Sequence, residues 1–133
     1  MIIAVDFDGT CVDHKYPAIG ADVPEAVAYL RLIAGSGALL ILWTMRSDGR
    51  PDGSNPLKDA VRWFEERRIP LWGVNINWDQ KAWTDSPKVY ANLYVDDAAF
   101  WCPLVEVPGG RPYADWSIIG PSVLEKIKAL NAS

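Results

Sequence analysis

Three apolar runs in this chain stop abruptly at polar residues able to do chemistry. Ile2-Ile3-Ala4-Val5 meets Asp6-Phe7-Asp8-Gly9-Thr10, Ala38-Leu39-Leu40-Ile41-Leu42-Trp43 meets Thr44-Met45-Arg46-Ser47, and Asn92-Leu93-Tyr94-Val95 meets Asp96-Asp97. Short apolar runs bounded by turn residues read as buried strands, and near-continuous apolar strands belong to parallel sheets. Amphipathic stretches separate them. Residues 24–34 place Ala26, Val27, Leu30 and Ile33 on one helical face before Gly35-Ser36-Gly37, and residues 57–68 turn Ala60, Val61 and Phe64 inward. A short strand over 71–74, a fifth over 116–119 and a closing helix from Pro121 to Leu130 complete the pattern. The alternation predicts one α/β domain over residues 1–133, built on a mostly parallel five-stranded sheet. Ligands of open parallel sheets bind at the carboxyl edge of the strands, so the polar strand ends should converge on one crevice.

Asp6 and Asp8 alternate with Phe7, so both carboxylates leave the first strand on one side while the ring turns into the core. Two unit charges 4 Å apart repel by roughly 4 kcal/mol at an effective dielectric near 20, unless a cation or a proton lies between them. A divalent metal is the expected reason for the pairing. Gly9 permits a turn closed to residues with a side chain, and Thr10 can offer a hydroxyl and a backbone N–H to an anion there. A strand that merely ends in a polar turn would carry the same two carboxylates.

Composition narrows the partners. A chain of 133 residues can bury roughly two thirds of its unfolded surface, and 50% hydrophobic with 23% charged residues reads as globular. A net charge of −4 and a pI near 4.9 argue against a general nucleic-acid-binding surface. The longest purely apolar strand-like run, Leu39 to Trp43, falls far short of a membrane span. Cys11 and Cys102 are widely separated, without a CxxC pair or a secretory leader ahead of Met1, so a reduced, cytoplasmic setting is expected.

The ordered set of DFDGT at residues 6–10, Thr44 in LILWTMRS, Lys88 in SPKVYANLYVDD and the terminal Asp96-Asp97 resembles the haloacid dehalogenase-like superfamily, whose members are mostly phosphatases and phosphotransferases. A receiver domain uses similar residue types in another order. The likeness spans residues 2 to about 97 and implies a three-layer Rossmann-like fold. It also implies a magnesium-dependent phosphatase in which Asp6 attacks phosphorus to form an aspartyl-phosphate, while Asp8 protonates the leaving oxygen and later deprotonates water. Mg2+ would be held by the Asp6 carboxylate, the Asp8 carbonyl and Asp96, with Asp97 adding a water-mediated contact or orienting Lys88. Lys88 would be the second cation at the phosphoryl group, with Lys81 its rival. Thr44 would hold a phosphoryl oxygen through hydroxyl and N–H, and Met45, Arg46, Gly9 and Thr10 would join it in binding substrate. A phosphotransferase using the same intermediate and a catalytically silent binding or regulatory domain are the alternatives.

Larger members of that superfamily insert a cap domain that this chain has no room for, since only residues 11–23 separate the first motif from its helix. A capless site suits a large phosphorylated substrate, or a small one covered by a loop or by a second subunit. Arg46 reads equally as a substrate clamp and as a solvated side chain, His14 as a surface residue, Cys11 as a small buried one, and Cys102 carries no message. Trp78 and Trp83 lie in a connection expected to cross the carboxyl edge of the sheet. There they would either stack a planar leaving group or a partner, or pack on a neighbouring helix and pin the loop.

Overall fold

Four parallel strands carry the site: β1 (Ile2–Val5), β2 (Leu39–Leu42), β3 (Gly73–Val74) and β4 (Leu93–Val95), in the spatial order β3-β2-β1-β4. The computed structural model describes residues 1–132. Val5 lies opposite Leu42 on one side and Val95 on the other, so Asp6, Trp43 and Asp96 leave the sheet at one level. Helix α1 (Ala26–Gly35) joins β1 to β2 and helix α2 (Pro56–Glu66) joins β2 to β3. Helix α3 (Trp116–Asn131) closes the fold.

The two faces of the sheet are covered differently. Ile3, Val5, Leu40, Leu42 and Val95 pack into one cluster with the buried residues of all three helices, and Phe7 meets Trp63 edge-on at 5.6 Å between ring centroids. Ala4 and Ile41 face the other way, onto Val89 and Ala91, flanked by Ile2, Trp43 and Trp72. Crossover handedness explains the difference. Right-handed connections that step from β1 to β2 to β3 leave both helices on one face, and the return to β4 then crosses the opposite face. That return holds a single 3-10 turn (Gln80–Ala82) and no α-helix, so the expected third, helical layer is replaced by an irregular connection.

Buried amides hold this connection in shape. Gln80 donates to the carbonyls of Ser86 (3.1 Å) and Lys88 (3.0 Å) and accepts from the Tyr90 N–H (2.7 Å), while Asn77 donates to the Tyr90 carbonyl (2.9 Å). Satisfied side-chain amides thus do the work of a helical ladder.

The expected fifth parallel strand over 116–119 is the first turn of α3. Asp115 caps it, accepting from the Ser117 N–H at 3.1 Å. Pro121 therefore lies inside the helix instead of opening it, at the loss of one backbone hydrogen bond near its start. The remaining strands, β5 (Leu104–Val105) and β6 (Tyr113–Ala114), form a small antiparallel pair outside the main sheet. No helix among the described residues is long and apolar enough to cross a membrane.

Candidate functional site

The carboxyl edge of the sheet opens into a crevice of about 670 Å³, and strand ends supply most of its walls. Asp6 and Asp8 come from β1, Trp43, Thr44, Met45 and Arg46 from β2, Asp96, Asp97 and Ala98 from β4, with His14, Tyr16 and Arg111 from loops. The turn after β1 is fastened from several directions. Trp116 donates its indole N–H to the Thr10 carbonyl at 2.7 Å, the Ala114 N–H reaches the Gly9 carbonyl at 2.8 Å, and the buried Cys11 thiol donates to the Asp6 carbonyl at 3.3 Å. Gly9 has a φ of +84°, and a Cβ there would run into His14 and Asp97. Glycine is required both by the backbone and by the closeness of the site.

Three carboxylates meet at one end. Asp6, Asp96 and Asp97 each offer an oxygen, and the three lie within 4.8 Å of one another. Burial, then the charges of Asp96 and Asp97, pushes the Asp6 carboxyl up to about 8, and burial raises that of Asp96 as well. Such a group is short of positive charge, and hard oxygen donors at this spacing suit a divalent cation such as Mg2+. The Thr10 hydroxyl donates to Asp6 Oδ2 at 2.9 Å and accepts from the Asp97 N–H at 3.1 Å, tying β1 to β4. His14 Nε2 sits 3.0 Å from Asp97 Oδ2.

Asp8 has a different neighbour. Arg46 Nε donates to its Oδ2 at 2.8 Å and Nη2 to its Oδ1 at 2.7 Å, a bidentate pair. The remaining Arg46 donors reach the carbonyls of Pro17 (3.0 Å), Ala18 (2.7 Å) and Pro56 (3.2 Å). With five hydrogen bonds and 2% exposure, Arg46 is neither a substrate clamp nor a solvated side chain.

No family model matches the chain, and no curated protein matches it. Among solved structures, the conserved protein coded by a locus of Bacteroides thetaiotaomicron is 36% identical, with 95% of this chain and 91% of that one covered and a TM-score of 0.73. This chain belongs to that protein's family. The two share an α/β fold over nearly their whole lengths.

Of the residues singled out from sequence, the structure brings Asp6, Asp8, Thr44, Met45, Arg46, Asp96 and Asp97 to the crevice. Gly9 and Thr10 stand behind it. The Gly9 N–H bonds to the Val12 carbonyl and the Thr10 N–H to that of Phe7, so neither amide is offered to a ligand. The Thr44 N–H is likewise taken by Asn75 Oδ1 at 2.8 Å, which leaves its hydroxyl, an acceptor for the Arg46 N–H, with a proton to donate. Lys88 is exposed on the connection over the outer sheet face, its Nζ 5.5 Å from the Tyr94 ring centroid, and Lys81 is exposed on the 3-10 turn. Neither lines the crevice. Trp78 bonds to the Trp72 carbonyl and Trp83 packs edge-on against Tyr90, so both sit on that same connection and not on the site. His14, read as a surface residue, is a wall of the crevice with a side chain 14% exposed. Arg111 and Tyr16 went unnoticed, for no motif marks them.

Proposed function

We propose that this chain is a capless, magnesium-dependent phosphatase of the haloacid dehalogenase type, on a Rossmann-like core, hydrolysing a phosphate monoester through an aspartyl-phosphate at Asp6. The observation that carries the reading is the set of Asp6, Asp96 and Asp97 at the carboxyl ends of adjacent parallel strands, beside an open crevice. Asp6, Asp96 and Asp97 would hold Mg2+, which when bound offsets the repulsion between a carboxylate and a phosphate dianion. An Asp6 oxygen attacks phosphorus, and the bond to the leaving oxygen breaks as that oxygen takes a proton. Water then attacks the same phosphorus, loses a proton, and releases Asp6 and inorganic phosphate.

Thr44 offers a hydroxyl to a phosphoryl oxygen. Arg111 rather than Lys88 would meet the phosphoryl charge, because among the described residues it is the crevice-lining cation that no carboxylate pairs. Arg46 takes one lone pair on each Asp8 oxygen and fixes the carboxylate in place, so any proton Asp8 moves would be held at the remaining lone pairs.

A panel of phosphate monoesters assayed with Mg2+ and with chelator tests the reading. Turnover should need the metal and disappear in Asp6→Asn, whose amide keeps the turn but is no nucleophile. Full activity in that variant would exclude the mechanism. The Asp8–Arg46 clamp and the outlying Lys88 favour a second reading, a silent domain that binds a divalent cation without turnover. It predicts calorimetric Mg2+ binding that Asp96→Asn weakens, and no release of phosphate from any monoester.

A further inference from the structure

The geometry points to a substrate class for this crevice: a small phosphate monoester whose leaving group carries a flat ring, bedded on Tyr16, Trp43 and Met45. The inference rests on the phosphatase reading above. The strand order β4-β1-β2 separates two kinds of wall, with Asp96 and Asp97 following β4, Asp6 following β1, and Trp43 and Met45 following β2. A phosphoryl group at Asp6 therefore projects its leaving group either back over the acidic β4 side or onto the β2 side. Phe100 and Trp101, exposed beyond β4, do not line the crevice. Within it the β4 side contributes Asp96, Asp97 and Ala98, whereas the β2 side contributes the large apolar side chains Trp43 and Met45.

That surface is prepared in advance. The Tyr16 ring lies 5.3 Å from the Arg46 guanidinium and 5.6 Å from that of Arg50, and its hydroxyl accepts from Arg50 Nη1 at 2.6 Å. Arg46 is itself held by five hydrogen bonds, so the ring is a half-exposed flat plate on a fixed support. Met45 is fully exposed at the same wall, and nothing in its own fold covers it. A polarisable, unbranched thioether with no packing partner is the side chain best able to settle against a ring of variable outline. Trp43 adds a second aromatic. The volume of about 670 Å³ falls within the range of roughly 300–1,000 Å³ for small-molecule sites. A net charge of −4 works against a long polyanion carrying the same chemistry.

Adenosine 5′-monophosphate and ribose 5-phosphate make a useful pair of probes, because both lose phosphate from a primary alkoxide and the second has an anomeric hydroxyl where the first has its base. Base stacking on aromatic side chains implies a preference of about tenfold or more in kcat/KM for the nucleotide. The ratio should fall toward one in Tyr16→Leu and in Met45→Ser, an exposed position whose change leaves folding intact, and persist in Tyr16→Phe. Calorimetry on Asp6→Asn gives a readout free of turnover, with the nucleotide expected to bind at least tenfold more tightly than ribose 5-phosphate. Turnover of both at equal efficiency would overturn the ring bed and leave the phosphatase reading standing. Tight nucleotide binding with no turnover of any monoester would do the reverse. A 5′-phosphorylated single-stranded oligonucleotide hydrolysed better than the mononucleotide would overturn the small-molecule assignment.

Discussion

Arg46 is a charge that the fold has taken out of water and surrounded on every side. Its two bonds to Asp8 and three to main-chain carbonyls join the turn after β1, the loop before α1 and the start of α2. Breaking a buried pair leaves the other charge unpartnered, at a cost of about 3–5 kcal/mol. Arg46→Ala should lower the free energy of unfolding by about that amount in urea titrations, and Arg46→Lys, with its point charge, should recover only part. An Arg46→Ala protein as stable as the parent would show that the network is not holding the loops. The sequence could place Arg46 at a strand end but not foresee its surroundings, since Pro17, Ala18 and Pro56 come together only through tertiary packing. Asp6 and Asp96 were legible for the opposite reason, because strand ends in register align whatever the loops do. Lys88 was assigned by the resemblance of SPKVYANLYVDD to a family motif, and the crossover direction decided where the side chain went. Arg111→Ala should therefore reduce kcat/KM about 100-fold, the scale of losing one donor to a developing oxyanion, whereas Lys88→Ala should stay within about twofold of the parent. The opposite ranking would restore Lys88 to the site.

Helices α1 and α3 lie against each other on the inner face, and Gly120 of α3 meets Tyr29 of α1 there. A Cβ at Gly120 would run into the Tyr29 ring, so this glycine in the second turn of α3 serves contact and not flexibility. Gly120→Ala should destabilise the fold by about 1–3 kcal/mol through overpacking, even though alanine is the better helix former. Thermal unfolding of Gly120→Ala beside Gly120→Ala with Tyr29→Ala checks it: the shorter partner should recover stability at Gly120, and no recovery would place the strain elsewhere. At this scale the sequence was read best where period and boundaries agreed. Strands β1, β2 and β4 and helices α1 and α2 all lie within a few residues of expectation. The segment Trp116-Ser117-Ile118-Ile119 was misread because four residues carry too little period to tell strand from helix. Asp115 was the missed sign, a capping side chain one residue ahead of the run. The absent third layer was not legible either, since residues 75–92 replace helical hydrogen bonds with those of Asn77 and Gln80, and an isolated buried amide has no periodic signature.

Over the whole molecule, the concentration of carboxylates at one sheet edge ties folding stability to pH and to metal. Asp6 ordinarily loses its proton near 3.8, and in the fold it keeps it until about 8, because burial and its acidic neighbours oppose the charge. Between those values the native state holds a proton that the unfolded chain has given up, so stability falls as pH rises across that window. Asp96 is shifted in the same direction and adds to the slope. In chelator, the melting temperature should drop from pH 5 to pH 8.5, and the drop should be smaller in Asp6→Asn, which has no charge to oppose. The difference between the two proteins isolates this carboxylate from every other group titrating over the same range. Mg2+ should reverse the trend, since a cation that binds the native carboxylates stabilises the fold by mass action and binds best once their protons are gone. The metal-induced rise in melting temperature should therefore be larger at pH 8.5 than at pH 5, and largely absent in Asp6→Asn. A rise of equal size at both pH values, or one that Asp6→Asn leaves intact, would place the metal somewhere other than at Asp6, Asp96 and Asp97.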